Sequence, residues 1–202
     1  YGNVEYLNRL FEPSLKKKEV DIISIGTRPD CLGEPVLDFL EKMMEKKEIW
    51  LEIGLQSASE HSLIRINRGH DTACFIQACE RIKKRFPKIH LATHLIFGLP
   101  EEKSSDALKA AEICANCGIT SVKIHPLTIV KNTVFEKEFL NGNIQLISEK
   151  EYIKRTVMFI KHSSKDLVIE RISEDSSELL IAPDWAGNKI RLKELICKNL
   201  YE

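Results

Sequence analysis

Residues 49–56 read Ile49-Trp50-Leu51-Glu52-Ile53-Gly54-Leu55-Gln56, and their alternation sets two unlike faces. Successive side chains of an extended strand point to opposite sides. One side carries Trp50, Glu52, Gly54 and Gln56; the other carries Leu51, Ile53 and Leu55. The second side calls for a covering layer, and the first for polar partners or water.

Three more runs, 20–28, 89–98 and 119–125, have the same character. Their polar faces hold Ile22, Ser24, Gly26 and Arg28; His90, Ala92, His94 and Ile96; and Ser121, Lys123 and His125. Their apolar faces hold Ile23 and Ile25; Leu91, Leu95 and Phe97; and Val122 and Ile124. Between them, 34–47 places Val36, Leu37, Leu40, Met43 and Met44 at helical spacing behind Pro35, and 71–86 and 104–117 behave alike. Strand and helix in alternation predict βαβ units and a parallel sheet.

A doubly wound sheet, covered by helices on both sides, would be apolar on both faces. These strands are not, so the expected fold class is α/β, a partial TIM-like (β/α) barrel with a polar lumen. Chemistry in such barrels gathers at the carboxyl ends of the strands, where Arg28, Gln56, Gly98 and His125 fall.

Beyond His125, a Pro-containing connection over 126–142 is long enough to act as a loop or lid. A helix is expected over 148–162, with Ser148 as N-cap and Glu151 completing a capping box. A strand over 168–172, an irregular stretch over 173–184 and a helix over 188–200 follow. The expected division is 1–142 as barrel and 143–202 as an extension packed on it.

The 202 residues, 43% hydrophobic and 30% charged, suffice for one sizeable core. Thirty basic residues balance thirty acidic ones, so overall charge steers the chain toward neither nucleic acid nor an anionic membrane. No run approaches the roughly 18 apolar residues of a membrane span, and the cytoplasm is the default compartment. The scattered cysteines, Cys31, Cys74, Cys79, Cys114, Cys117 and Cys197, read as reduced thiols. A chain opening on Tyr1 inside a helix-forming segment suggests a fragment.

A Gln at a strand tip and Arg68, twelve residues later, can meet over one pocket and grip a ribose and a carboxylate. The same pair also fits a strand-end amide beside a surface Arg that caps a helix.

Read together, "LEIGLQSASEHSLIRINRGHD" (51–71) and "THLIFGLPEE" (93–102) resemble strand motifs of radical S-adenosylmethionine (SAM) enzymes, in the branch of oxygen-independent coproporphyrinogen oxidase and the Elongator catalytic subunit. "SIGTRPDCL" (24–32), "VKIHPLTIVKNT" (122–133) and "ERISEDSSELLIAPDW" (170–185) resemble the YhcC-type radical SAM proteins. The resemblance implies that Gln56 contacts the SAM ribose and Arg68 its carboxylate. His94 corresponds to a pocket position that is often Asp. Phe97 and Gly98 would let backbone lie beside the adenine, a close approach that a missing side chain permits at Gly98. Glu52 shares the lumen face with Gln56; pairing with Lys123 or Arg28 is its alternative role.

The resemblance also implies a [4Fe-4S] cluster, a reductant such as flavodoxin or ferredoxin, and a substrate that is a small molecule or a tRNA, with no membrane partner. The family's three cluster ligands sit in a CxxxCxxC-type loop, and thiolate is what such clusters require. That run does not occur here. Cys114 and Cys117 end a helix and read as core thiols. Residues 1–18 resemble the helix before the third barrel strand, which would put the cluster loop upstream of Tyr1. Residues 1–202 alone are therefore expected neither to bind the cluster nor to cleave SAM.

His90 and His94 lie on one strand, roughly 13 Å apart, too far to share an ion, and no metal site is expected. The catalytic candidates are Arg28, held by Asp30 across Pro29, together with Lys123 and His125. His125 could touch substrate or move a proton, or simply hydrogen-bond the adjoining loop. Lys131 and Thr133 are placed at the same mouth. Two other functions stay open: a barrel lyase or metal-dependent hydrolase built on Lys123 and His125, and a non-catalytic scaffold.

Overall fold

The computed structural model describes residues 3–173 and 178–201. Along the chain, α1 (Val4–Lys16) leads into β1 (Ile22–Thr27), α2 (Glu34–Met44) and β2 (Glu48–Gln56). A short α3 (Glu60–Arg65) and α4 (Thr72–Arg85) precede β3 (His90–Phe97), and α5 (Ser104–Asn116) precedes β4 (Ser121–Pro126). Then come β5 (Ile129–Val130), α6 (Val134–Leu140), α7 (Glu149–His162), β6 (Val168–Arg171), β7 (Leu180–Ala182) and α8 (Lys189–Tyr201).

β1, β2, β3, β4 and β6 form one wholly parallel sheet, with strands neighbouring one another in the order in which they occur in the chain. That order, with helices in the crossovers, is the arrangement of an open segment of a (β/α) barrel.

The alternation within each strand sorts the two faces as its sequence demands. Leu51, Ile53, Leu55, Leu91, Leu95, Phe97, Val122 and Ile124 join Leu37, Leu40, Phe75, Ala78, Ile82, Ala107 and Ala111 of the helices in one core. Most of these are entirely shielded, and each large apolar side chain so placed contributes about 1.5–3 kcal/mol. Helix starts follow local chemistry: Ser59, Asp71, Thr133 and Ser148 each accept a hydrogen bond from a first-turn N–H, and Pro35 opens α2.

Three details differ from the sequence reading. The connection 126–142 is not a plain loop, since it folds into β5 and α6. β5 pairs antiparallel with β7, which makes a strand of part of 173–184; residues 174–177 lie outside the described residues. The capping box at α7 is only half formed, because the Glu151 carboxylate is taken by Ser104 and Arg155 instead of closing back on Ser148. Residues 143–202 both pack on the barrel, through α7, and extend its sheet, through β6.

Candidate functional site

Glu52 is the hub of the polar face. It accepts hydrogen bonds from Ser24 Oγ of β1 at 2.6 Å, His94 Nε2 of β3 at 2.8 Å and Lys123 Nζ of β4 at 2.6 Å. Burial pushes its carboxyl up, but the bonds from Lys123, Ser24 and His94 outweigh it and hold the group down at about 2. The network continues through Lys123 to Glu170 of β6 at 3.5 Å, and Ser121 donates to the same Glu170. Toward the amino ends of the strands, His90 Nε2 meets Ser121 Oγ at 2.9 Å and its ring stacks on Trp50 at 4.1 Å. His90 and His94 thus stand at opposite ends of one network, joined through Ser121, Glu170, Lys123 and Glu52. Lys123, not Arg28, is the partner of Glu52.

At the carboxyl rim, Gln56 and Arg68 come together over Gly54. A Cβ at residue 54 would overlap the Gln56 amide and lie 2.6 Å from Arg68 Nη2. Arg68 is aimed there by two acceptors, His70 Nε2 for its Nε at 2.9 Å and the Gly54 carbonyl for Nη2 at 3.4 Å. Gln56 adopts φ +69°, a left-handed value uncommon for a side chain of its kind, and its sequence gives no sign of this. An amide and a guanidinium converging on a bare backbone suit a ligand that brings a hydroxyl and a carboxylate.

Arg28 grips Asp30 with both Nε, at 2.8 Å, and Nη2, and its guanidinium lies against Gly69, next to Arg68. That grip holds the Asp30 carboxyl below its usual range.

His125 is buried, and its ring stacks with His94 at 5.8 Å. Desolvation, helped by the His94, Arg171 and Lys123 charges, lowers it to about 4, so the imidazole is neutral at physiological pH. Phe97 turns its ring into the helix layer against Phe159, leaving only backbone toward the rim. Gly98 has φ +94°, and a Cβ there would lie 2.8 Å from Ile147. Thr133 caps α6, and Lys131 is exposed.

The thiols lie elsewhere. Cys79, Cys114 and Cys117 are buried in the helix-side core, where Cys79 and Cys117 hydrogen-bond: the contact raises Cys79 and lowers Cys117, while burial pushes Cys114 up to about 12. Cys31 and Cys74 are partly buried and Cys197 is exposed on α8. Cys79, Cys114 and Cys117 neighbour one another, but they are packed in the core, where contact and burial hold Cys79 and Cys114 protonated, so this set does not offer the thiolates an iron–sulfur cluster requires. Among the described residues no group of three or more His, Cys, Asp or Glu is arranged to hold a metal ion, and no helix is long and apolar enough to cross a membrane.

Sequence reasoning missed several residues here. Ser24, placed on the polar face by its sequence but given no role, and Glu170 enter the lumen network, and Ser57, Glu102 and Arg155 form a buried cluster behind the rim. Glu102 had one visible signal, an acidic residue four positions after the glycine of the β3 turn.

Comparison with known proteins agrees with the fold. The Radical SAM superfamily profile matches residues 3–124, and the Radical_SAM C-terminal domain profile matches 119–202. YtqA of Bacillus subtilis is 33% identical over 201 residues, covering 99% of this chain and 62% of its own length. YhcC of Escherichia coli K12 is 34% identical over 191 residues, covering 94% and 61%. The chain thus spans about three fifths of the length of these curated relatives. Elp3 of the archaeon Methanocaldococcus infernus superposes with a TM-score of 0.79 at 21% identity, over 96% of this chain and 45% of that one, a likeness of fold.

Proposed function

The chain belongs to the radical SAM superfamily, and from that premise we propose that its carboxyl rim is a SAM site in which Gln56 takes the ribose and Arg68 the carboxylate. In such a protein, bound SAM supplies, on one-electron reduction, a 5′-deoxyadenosyl radical that removes hydrogen from a substrate. The six thiols do not suit the cluster that delivers the electron, and no step is assigned to it within residues 1–202.

The observation that carries this reading is the meeting of Gln56 and Arg68 over the bare Gly54 backbone. His70 fixes the Arg68 fork before any ligand arrives, so less ordering is needed on binding. Gly98, whose side-chain position is filled by Ile147, can offer only its backbone edge, with Phe97 withdrawn behind it. On the polar face of the sheet, Glu52 neutralises Lys123 and orients His94, which keeps a charged pair in place beside the rim. The neutral His125 and the Arg28–Asp30 pair are the groups we assign to the substrate side. Lys123 as a lyase nucleophile gains no support, since its ammonium is bound by Glu52 and Glu170.

Equilibrium binding of SAM tests the reading. Gln56→Ala and Arg68→Ala are each expected to weaken binding roughly tenfold or more. Unchanged affinity in both would refute it. The cysteine arrangement favours a second reading, for these 202 residues alone: a SAM-facing wall without cleavage chemistry. Anaerobic iron reconstitution is then expected to give no visible cluster absorbance, and an intact cluster signal would overturn it.

A further inference from the structure

Glu102 follows β3 in the turn toward α5, where a charged side chain ordinarily reaches water, yet its side chain is 2% exposed. It accepts from Ser57 Oγ at 2.6 Å, the Gly98 N–H at 2.7 Å and Arg155 Nη1 at 3.2 Å. Burying a carboxylate alone is costly, and three donors, one of them a guanidinium, offset part of that cost, although burial still pushes the Glu102 carboxyl up. The donors come from the loop after β2, the end of β3 and α7.

The place matters because the β2–β3 ladder slips register between Gly54 and Gln56, so regular pairing ends there. Gln56, the last paired residue of β2, and Gly98, just after β3, both lie beyond the break, at φ +69° and +94°. A left-handed glutamine persists only where its surroundings hold it. Beyond the ladder, the Glu102 carboxylate joins Ser57, the residue after Gln56, to Gly98. Arg155, 8% exposed, completes the set by binding Glu151 Oε1 at 3.0 Å and the Glu102 carbonyl at 3.4 Å.

We propose that Glu102, with Arg155 as counter-ion, is a positioning residue that clamps the Gln56–Ser57 turn to Gly98 and so sets the spacing between two walls of the SAM cradle. It rests on the assignment of Gln56 and Gly98 to SAM. Glu102 acts through Ser57 and the Gly98 backbone, without touching the ligand itself.

The test is SAM affinity measured beside thermal unfolding for Ser57→Ala, Ser57→Thr, Glu102→Gln and Gln56→Ala. Ser57→Ala removes one arm and leaves the Glu102–Arg155 pair intact, so Tm is expected to stay within about 5 °C while affinity falls roughly tenfold. Ser57→Thr keeps the hydroxyl and is expected to restore affinity to within about twofold. Glu102→Gln should weaken binding further and lower Tm, because Arg155 loses one of its two carboxylate partners and keeps only Glu151. If Ser57→Ala and Glu102→Gln bind as wild type while Gln56→Ala is impaired, the clamp is refuted and the SAM site stands. If Gln56→Ala also binds as wild type, both fall together.

Discussion

Glu52 Oε2 and Lys123 Nζ lie 2.6 Å apart although β3 runs between their strands. Strands two apart are separated by roughly 9.5 Å, so the pair spans β3 over the polar face. Both side chains are 15% exposed, enough shielding for the contact to matter more than a surface ion pair. Glu52→Ala is expected to destabilise the fold by about 1–3 kcal/mol, and Lys123→Ala to do likewise. The double variant should cost less than the sum, and strict additivity in urea unfolding would show that the pair is not coupled.

Acidification separates two groups by their windows. His125 is lowered in the fold from 6.5 to about 4, so the folded state resists its protonation; the stability it contributes is complete above 6.5 and is lost as pH falls toward 4. Glu52, lowered from 4.5 to about 2, keeps its contribution down to pH 4.5 and loses it between there and 2. His125→Gln is expected to flatten the stability profile between pH 6.5 and 4, and Glu52→Gln only the lower limb. A His125→Gln profile parallel to wild type would place the imidazole in a solvated setting.

Gly54 and Gly98 are expected to be intolerant for different reasons. Gly54→Ala drives a methyl into the Gln56 amide and Arg68 fork, so it should impair ligand binding more than folding. Gly98→Ala puts a side chain at φ +94° and against Ile147, so a loss of about 1–3 kcal/mol in stability is expected. Wild-type Tm for Gly98→Ala would contradict that turn.

Thiol labelling checks the cysteine placement. Cys197 is expected to react at once in the native protein, and Cys79, Cys114 and Cys117 only after denaturant is added. Rapid native modification of those three would mean that the helix layer does not cover the sheet as described.

Much of the fold is legible in the strands themselves, because Trp50-Leu51-Glu52-Ile53-Gly54-Leu55-Gln56 alternates so cleanly that burial follows parity. β6 was also readable from Val168 and Ile169. What escaped depended on distant partners: β7 exists because β5 pairs with it, and Glu151 leaves its capping box because Ser104 and Arg155 offer a better set of donors. The Gln56–Arg68 meeting was suggested by their spacing. The left-handed turn at Gln56 and the burial of Glu102 arise from contacts between β2, β3 and α7 that no local pattern records.

The assignment of Arg68 to a carboxylate is tested most directly by comparing the affinities of wild type and Arg68→Ala for SAM and for decarboxylated SAM. Wild type is expected to prefer SAM by roughly tenfold or more, and Arg68→Ala to lose that preference. An Arg68→Ala protein that still favours SAM by the wild-type ratio would contradict the account.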